Sequence, residues 1–168
     1  MYIQRPTSCR FIPNPRAQFE AAQLLIRPWE VDHLIRRVPQ WEIPRNHCFA
    51  DSVTQWLSSE FASGRLQYKP DPSWPQGFDL WRSPYATLSN RGGDCEDLSI
   101  LVISMLKAGG VNESYLVIGT VQTRHGFRGH AWVEGWDEKG FFMIEATNGI
   151  IYQSRPQNYR ARFYLGPG

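Results

Sequence analysis

The sequence has no large excess of charge, no long apolar run and few cysteines. Its 168 residues carry 18 Lys and Arg against 16 Asp and Glu, a net charge of +2, which gives no reason to expect a nucleic-acid partner. No apolar run approaches the roughly 18 residues that a membrane span needs, and the N-terminus lacks the pattern of a secretory signal. Three cysteines argue against a disulfide framework. We therefore expect a cytoplasmic protein that binds neither nucleic acid nor membrane.

The composition is that of a folded protein of one domain. Hydrophobic residues make up 42% of the chain and aromatic residues 14%, which excludes global disorder. A chain of this length can bury a core without disulfides or metals. We treat residues 1–168 as one domain, with no indication of its oligomeric state.

The first half of the chain predicts short helices and irregular segments. Three prolines favour an extended arm over residues 1–15, and apolar periodicity predicts helices over 16–26, 30–38 and 46–63. Asn46 is the predicted N-cap of the third helix. Residues 65–92, rich in proline and aromatic side chains, are predicted to form a long loop, and loops of this length are usually functional.

The second half predicts one helix followed by strands. Asp94, with Asp97 three residues later, is the expected N-cap of a helix that ends at Gly109 and Gly110. Strands are expected over residues 114–122, 129–136, 141–147, 150–153 and 159–165, with a hairpin turn at 137–140. Helices followed by strands indicate an α+β fold with a mostly antiparallel sheet, and residues 94–165 form its predicted core.

Cys95 is the candidate nucleophile, because the first turn of a helix stabilises an anion such as a thiolate. The alternative is a buried structural cysteine, since Cys95 also belongs to the apolar stripe of its helix. The helix is about 20 Å long, and a returning strand covers a similar distance, which brings the chain back to the level of Cys95 just before His130. His130 could therefore serve as the base, or it could be a hydrogen-bonded core histidine.

Glu145 is the candidate third member of the site. With a hairpin turn of two or four residues, position 132 lies opposite position 145, so that His130 and Glu145 share a face of the sheet. A carboxylate there would orient the imidazole, whereas a three-residue turn would place Glu145 on the opposite face. An unpaired buried carboxylate is costly, so Glu145 must be paired or exposed.

Three separated segments resemble the transglutaminase-like superfamily, whose fold is related to that of papain. Among its members, they are most similar to the bacterial transglutaminase-like cysteine proteinases. The matching stretches are Gly92-Gly93-Asp94-Cys95-Glu96-Asp97, Gly129-His130-Ala131-Trp132-Val133-Glu134 and Ile144-Glu145-Ala146-Thr147-Asn148-Gly149. The resemblance implies a papain-like core in which N-terminal helices and a nucleophile helix pack on an antiparallel sheet. It also implies that Cys95 is the nucleophile, His130 the general base and acid, and Glu145 the orienting acid.

The resemblance leaves several roles open. The family usually has aspartate where this chain has Glu145, and Asn148 is a substitute orienter. Several bacterial relatives bind calcium beside the nucleophile, and Asp94 and Asp97 match their acidic ligands, although helix capping explains both residues equally well. No cofactor is otherwise required.

Other side chains are weaker candidates. Gln55 is a candidate oxyanion donor, and Trp81 and Trp132 are candidates for substrate contact, with core packing as the alternative. Cys48 is the rival nucleophile. The remaining cysteine and histidine residues have no recognised spacing for a zinc site.

The sequence therefore predicts a thiol-dependent acyl transfer enzyme that acts on a protein or peptide. Hydrolysis of a peptide or amide bond through a thioester is the leading interpretation. Transamidation of glutamine residues and a catalytically silent domain that binds a protein or peptide are the alternatives.

Overall fold

The computed structural model describes residues 8–10, 15–36, 49–71 and 80–166. The helices are α1 (Pro15–Gln23), α2 (Asp32–Ile35), α3 (Phe49–Ala62), α4 (Pro84–Ser89) and α5 (Cys95–Ala108), with a 3-10 turn at Pro28–Glu30. The strands are β1 (Ser8–Arg10), β2 (Gln67–Tyr68), β3 (Leu80–Arg82), β4 (Gly92–Gly93), β5 (Ser114–Thr123), β6 (Gly126–Asp137), β7 (Gly140–Glu145), β8 (Ile150–Tyr152) and β9 (Tyr159–Leu165). The fold is α+β, as predicted.

A five-stranded antiparallel sheet forms the second half of the protein, in the order β8-β7-β6-β5-β9. Asp137 pairs with Gly140, so the hairpin between β6 and β7 has a two-residue turn, and Gly140 has a φ of 99°. The next pairs along the two strands include Val133 with Ile144. This register puts His130 and Glu145 on one face of the sheet, which is the arrangement that the two-residue turn predicts.

Helix α5 is the centre of the hydrophobic core. It packs on β5 and β6 on one side, while α2, α3 and α4 contact its remaining surface. Because α5 is covered on all sides, its apolar residues are buried around its whole circumference. The core residues on α5 are Leu98, Ile100, Leu101, Val102, Ile103, Met105 and Leu106. This packing fixes the first turn of α5, and with it Cys95, against the sheet.

The segment 65–92 is more ordered than the predicted loop. It contains β2, β3, α4 and β4, although residues 72–79 lie outside the described part. Pro84 occupies the first turn of α4, where a missing N–H costs nothing, and Ser83 caps the helix by accepting a hydrogen bond from the Ala86 N–H. Strand β2 pairs in parallel with β4, directly before α5. The loop prediction was wrong here because these elements depend on contacts with distant residues.

Three predictions on helices need correction or lie outside the described residues. Asp94 is the N-cap residue of α5, but its side chain makes no capping hydrogen bond. Of the helix predicted over residues 30–38, the structure shows α2 after the 3-10 turn, and residues 37–38 lie outside the described part. Asn46 and Cys48 lie outside the described residues, as does most of the predicted arm. No helix in the described part of the chain is long and apolar enough to cross a membrane.

Candidate active site

Cys95 opens α5, and its thiol is held by a carboxylate. The Sγ atom donates a hydrogen bond to Glu96 Oε2 at 3.1 Å, and the side chain is half-buried. Burial raises the pKa of the Cys95 thiol, and the charge and hydrogen bond of Glu96 raise it further, whereas a hydrogen bond from the Ala131 backbone lowers it. The low thiol pKa that the helix dipole predicts is therefore wrong for the resting site, where desolvation and the carboxylate outweigh the dipole.

His130 and Glu145 are joined directly. His130 Nε2 lies 2.7 Å from Glu145 Oε2, and the Glu145 side chain is only 3% exposed. Burial by itself would raise the pKa of Glu145, but hydrogen bonds and the charge of His130 hold this pKa below its usual range. Thr147 and Tyr159 also donate to the carboxylate. The buried carboxylate is therefore ionised and fully engaged.

Cys95 and His130 approach each other through strand β6. The backbone of Ala131, the residue after His130, contacts the Cys95 thiol. Among the described residues, however, no hydrogen bond joins the thiol to the imidazole, and the thiol donates to Glu96 instead. The Nε2 atom is bound to Glu145, which leaves Nδ1 as the ring nitrogen that would receive a proton from Cys95.

Three carboxylates surround the first turn of α5. Oxygen atoms of Asp71, Asp94 and Glu96 lie within 4.8 Å of one another. Glu96 is buried, its Oε1 atom has no hydrogen-bond partner among the described residues, and burial together with the Asp94 charge raises its pKa well above the usual range. A group of hard oxygen ligands with an unsatisfied buried carboxylate oxygen suits a divalent cation such as Ca²⁺.

Asp97 does not belong to this acidic group, contrary to the predicted pair of Asp94 and Asp97. It is fully buried and binds Arg82, whose backbone N–H donates to Oδ1 at 2.7 Å and whose guanidinium contacts Oδ2. Burial and the nearby charge of Asp94 raise the pKa of Asp97 to about 7, against the opposing effect of Arg82. Arg82 also binds Asp71 at 2.9 Å, so it connects Asp97 to the acidic group.

The remaining predicted site residues divide into two groups. Trp132 is buried and stacks on the His130 ring with a centroid distance of 6.0 Å, but its Nε1 donates to Glu134 and is not available to substrate. Trp81 is also buried. Gln55 and Asn148 are exposed, and the Asn148 side chain accepts from the Ile150 N–H rather than orienting His130.

Two tyrosines at the site were missed by the sequence analysis. Tyr68 on β2 is half-exposed, and burial and the charges of Cys95 and neighbouring carboxylates raise its pKa to about 12. Strand β2 lies within the segment predicted as a loop, so no periodicity in the sequence indicated that Tyr68 lies near Cys95. Tyr159, at the start of β9, reaches Glu145 because β9 pairs with β5 next to β6. The order of strands in the sheet would have been needed to find it.

Comparisons with known proteins agree with this architecture. Residues 33–146 match the sequence family described as the transglutaminase-like superfamily, while no curated protein matches the chain. Among solved structures, EGTA-treated LapG from Legionella pneumophila is 20% identical, with a TM-score of 0.58, over 88% of this chain and 81% of LapG. Calcium-bound LapG is 18% identical, with a TM-score of 0.54, over 93% of this chain and 78% of LapG.

A candidate cysteine protease from Cytophaga hutchinsonii is also similar. It is 17% identical, with a TM-score of 0.51, over 73% of this chain. This chain spans only 38% of the length of that protein. At these identities the structures establish the fold, which is papain-like, and the sequence match covers more than half of the chain. The chain belongs to the transglutaminase-like superfamily.

Proposed function

We propose that this protein is a thiol-dependent hydrolase that cleaves a peptide or amide bond of a protein or peptide substrate. The observation that carries the proposal is the 2.7 Å hydrogen bond between His130 Nε2 and Glu145 Oε2, with the backbone of the next residue, Ala131, in contact with the Cys95 thiol. A histidine oriented by a carboxylate beside a cysteine is the arrangement that nucleophilic acyl transfer requires. The similarity to a candidate cysteine protease supports the same reaction class.

The proposed reaction has two halves. The thiol proton of Cys95 passes to Nδ1 of His130, and the sulfur attacks the substrate carbonyl to form a tetrahedral oxyanion, which the backbone N–H of Cys95 can stabilise. His130 then protonates the leaving amine, and a thioester remains on Cys95. In the second half, His130 accepts a proton from water, and the water oxygen attacks the thioester carbonyl. The C–S bond then breaks, the acid is released, and the sulfur of Cys95 takes the proton back from His130. Throughout, Glu145 holds Nε2–H and stabilises the imidazolium.

The resting thiol must leave Glu96 before it can react. In the structure the thiol donates to the Glu96 carboxylate, and its raised pKa keeps it protonated. Asp71, Asp94 and Glu96 would hold a calcium ion, because the unsatisfied oxygen of Glu96 and the grouped carboxylates fit such a ligand. The ion would supply positive charge beside Glu96, in addition to that of the Arg82 guanidinium, which binds Asp71. Structures of LapG in calcium-bound and EGTA-treated forms support testing this ion first.

The raised pKa of Cys95 also favours a second candidate function. A domain whose cysteine stays protonated under all conditions would be catalytically silent and would bind a protein or peptide without cleaving it. Alkylation separates the two functions. If the protein is a hydrolase, we expect iodoacetamide to label Cys95 faster than Cys9 or Cys48 in the presence of calcium. Equal, slow labelling of all three cysteines with calcium and with EGTA would favour the silent domain.

A peptide library tests the hydrolase directly. The wild-type protein and Cys95→Ala are incubated with the library, with calcium and with EGTA, and Cys9→Ala serves as the matched cysteine control. Cleavage by wild type and Cys9→Ala, and none by Cys95→Ala, is the expected result. Cleavage that survives Cys95→Ala refutes the proposed nucleophile. A parallel reaction with a glutamine-containing peptide and excess primary amine detects transamidation, in which an amine replaces water.

A further inference from the structure

The carboxylate of Glu145 is held from three sides. Oε2 lies 2.7 Å from His130 Nε2 and accepts a second hydrogen bond from the Tyr159 hydroxyl at 2.8 Å. Oε1 accepts from the Thr147 hydroxyl at 2.7 Å and from the Thr147 backbone N–H at 3.2 Å. The oxygen that faces the histidine therefore has one further side-chain donor, and that donor is Tyr159. This tyrosine lies outside residues 33–146, which match the superfamily.

The ring of Tyr159 is fixed, so its hydroxyl has a defined place. Its edge packs against Trp132 at a centroid distance of 5.3 Å and an interplanar angle of 86°, and the ring lies 6.0 Å from that of His130. The backbone is held by pairing with Val121 on β5 and by a hydrogen bond from the Tyr159 N–H to the Pro156 carbonyl. Because both the ring and the backbone of this residue are held, its hydroxyl can donate a hydrogen bond with little further loss of conformational entropy.

We propose that Tyr159 is a positioning residue that holds Glu145 Oε2 in place for His130. The inference rests on the proposed hydrolase, whose reaction needs a fixed imidazole. Glutamate has one more rotatable bond than aspartate, so more of its freedom must be removed to hold the carboxylate in one orientation. Thr147 fixes one oxygen, and Tyr159 fixes the oxygen that bonds to His130.

The charge state of the two partners fits this role. Burial and the Glu145 charge raise the pKa of Tyr159, so the hydroxyl keeps its proton and acts as a donor at neutral pH. The same hydrogen bond contributes to the low pKa of Glu145. Removing the hydroxyl should therefore raise the pKa of Glu145, because the ionised form loses a donor.

Tyr159→Phe tests the proposal, because it removes the hydroxyl and keeps the ring packing. Tyr164→Phe is the matched control, since the Tyr164 hydroxyl donates to Glu134 and not to Glu145. The first measurement is an NMR titration of the Glu145 side-chain carboxyl carbon in the intact protein, with Glu145→Gln used to assign the signal. We expect the titration midpoint to rise in Tyr159→Phe and to stay unchanged in Tyr164→Phe. Thermal unfolding measured alongside shows whether each variant is folded.

The second measurement is the rate of hydrolysis of a peptide that the wild type is found to cleave in the library experiment. Loss of one hydrogen bond to a charged group predicts about a tenfold fall in kcat for Tyr159→Phe, with KM unchanged. Equal kcat values in Tyr159→Phe and Tyr164→Phe, or an unmoved Glu145 midpoint, overturn the positioning role. If the wild type cleaves no peptide, the titration still decides on Tyr159: a raised midpoint supports the contact, and the proposed hydrolase alone is refuted.

Discussion

The contact between the Cys95 thiol and Glu96 gives the sharpest prediction about reactivity. Glu96→Gln removes an ionisable carboxyl group whose oxygen lies 3.1 Å from the sulfur, and it keeps the shape of the side chain. Two charges about 4 Å apart interact by about 4 kcal/mol at the effective dielectric of a protein surface and by about 1 kcal/mol in water. For the half-buried Cys95 we expect about 2 kcal/mol where Glu96 is ionised, so that the substitution lowers the pKa of the thiol and raises the thiolate fraction roughly thirtyfold. Because burial raises the pKa of Glu96, this difference should be largest at alkaline pH.

Alkylation measures this change. Iodoacetamide is added to wild type and Glu96→Gln in buffer with EGTA across neutral and mildly alkaline pH, and labelling of Cys95 is followed by peptide mass spectrometry. Glu60→Gln is the matched control, because Glu60 lies on α3 and pairs with Arg65. Faster labelling of Glu96→Gln is expected at the alkaline end of this range, where Glu96 is ionised in the wild type, with Glu60→Gln equal to wild type. A rate in Glu96→Gln equal to or below that of wild type would refute the reasoning, since it would mean that the carboxylate does not hold the thiol proton.

Three further predictions concern the ion site and the buried carboxylates. Terbium, a luminescent substitute for calcium, should bind the wild type and bind Asp71→Asn more weakly; equal affinity would exclude Asp71 as a ligand. Arg155→Met leaves the buried Glu134 without its bidentate partner and should lower the free energy of unfolding in urea by about 2 kcal/mol, because Arg155 is itself 34% exposed; an unchanged midpoint would contradict this. Because the pKa of Glu145 is lowered, the stability that its charge contributes is present above about pH 4.5 and is lost in acid. The difference in the free energy of unfolding between wild type and Glu145→Gln should therefore decrease below that pH. A difference that stays constant with pH would argue against a stabilising charge on Glu145.

Local patterns were sufficient to predict the second half of the fold. The apolar stripe that begins at Cys95 predicts α5, and alternating residues predict the five strands of the sheet within a few residues of their bounds. A two-residue turn at 137–140 then fixes the register, and the register brings His130 to Glu145. These features follow from sequence because periodicity and turn length act over short distances.

The electrostatic environment of Cys95 could not be predicted in the same way. The position of Cys95 at a helix N-terminus favours a thiolate, but the effect of burial and of Glu96 is larger. Asp71 joins the acidic group from a segment that was read as a loop, and Tyr159 reaches Glu145 only through the order of strands. Each of these contacts depends on tertiary structure, which no local pattern encodes.

The two glycines before Asp94 have a consequence for how the sequence of this protein can change. A methyl group on Gly92 would collide with the Gln67 carbonyl, and one on Gly93 would collide with the Asp97 side chain. Gly92 also has a φ of 135°, which other residues rarely adopt. Alanine at either site should therefore abolish the proposed activity by displacing Cys95, the proposed nucleophile, although glycine has no reactive group. Which substitutions Gly92 and Gly93 tolerate would therefore report how closely the backbone is packed at these positions. It would not report whether Cys95 takes part in a reaction.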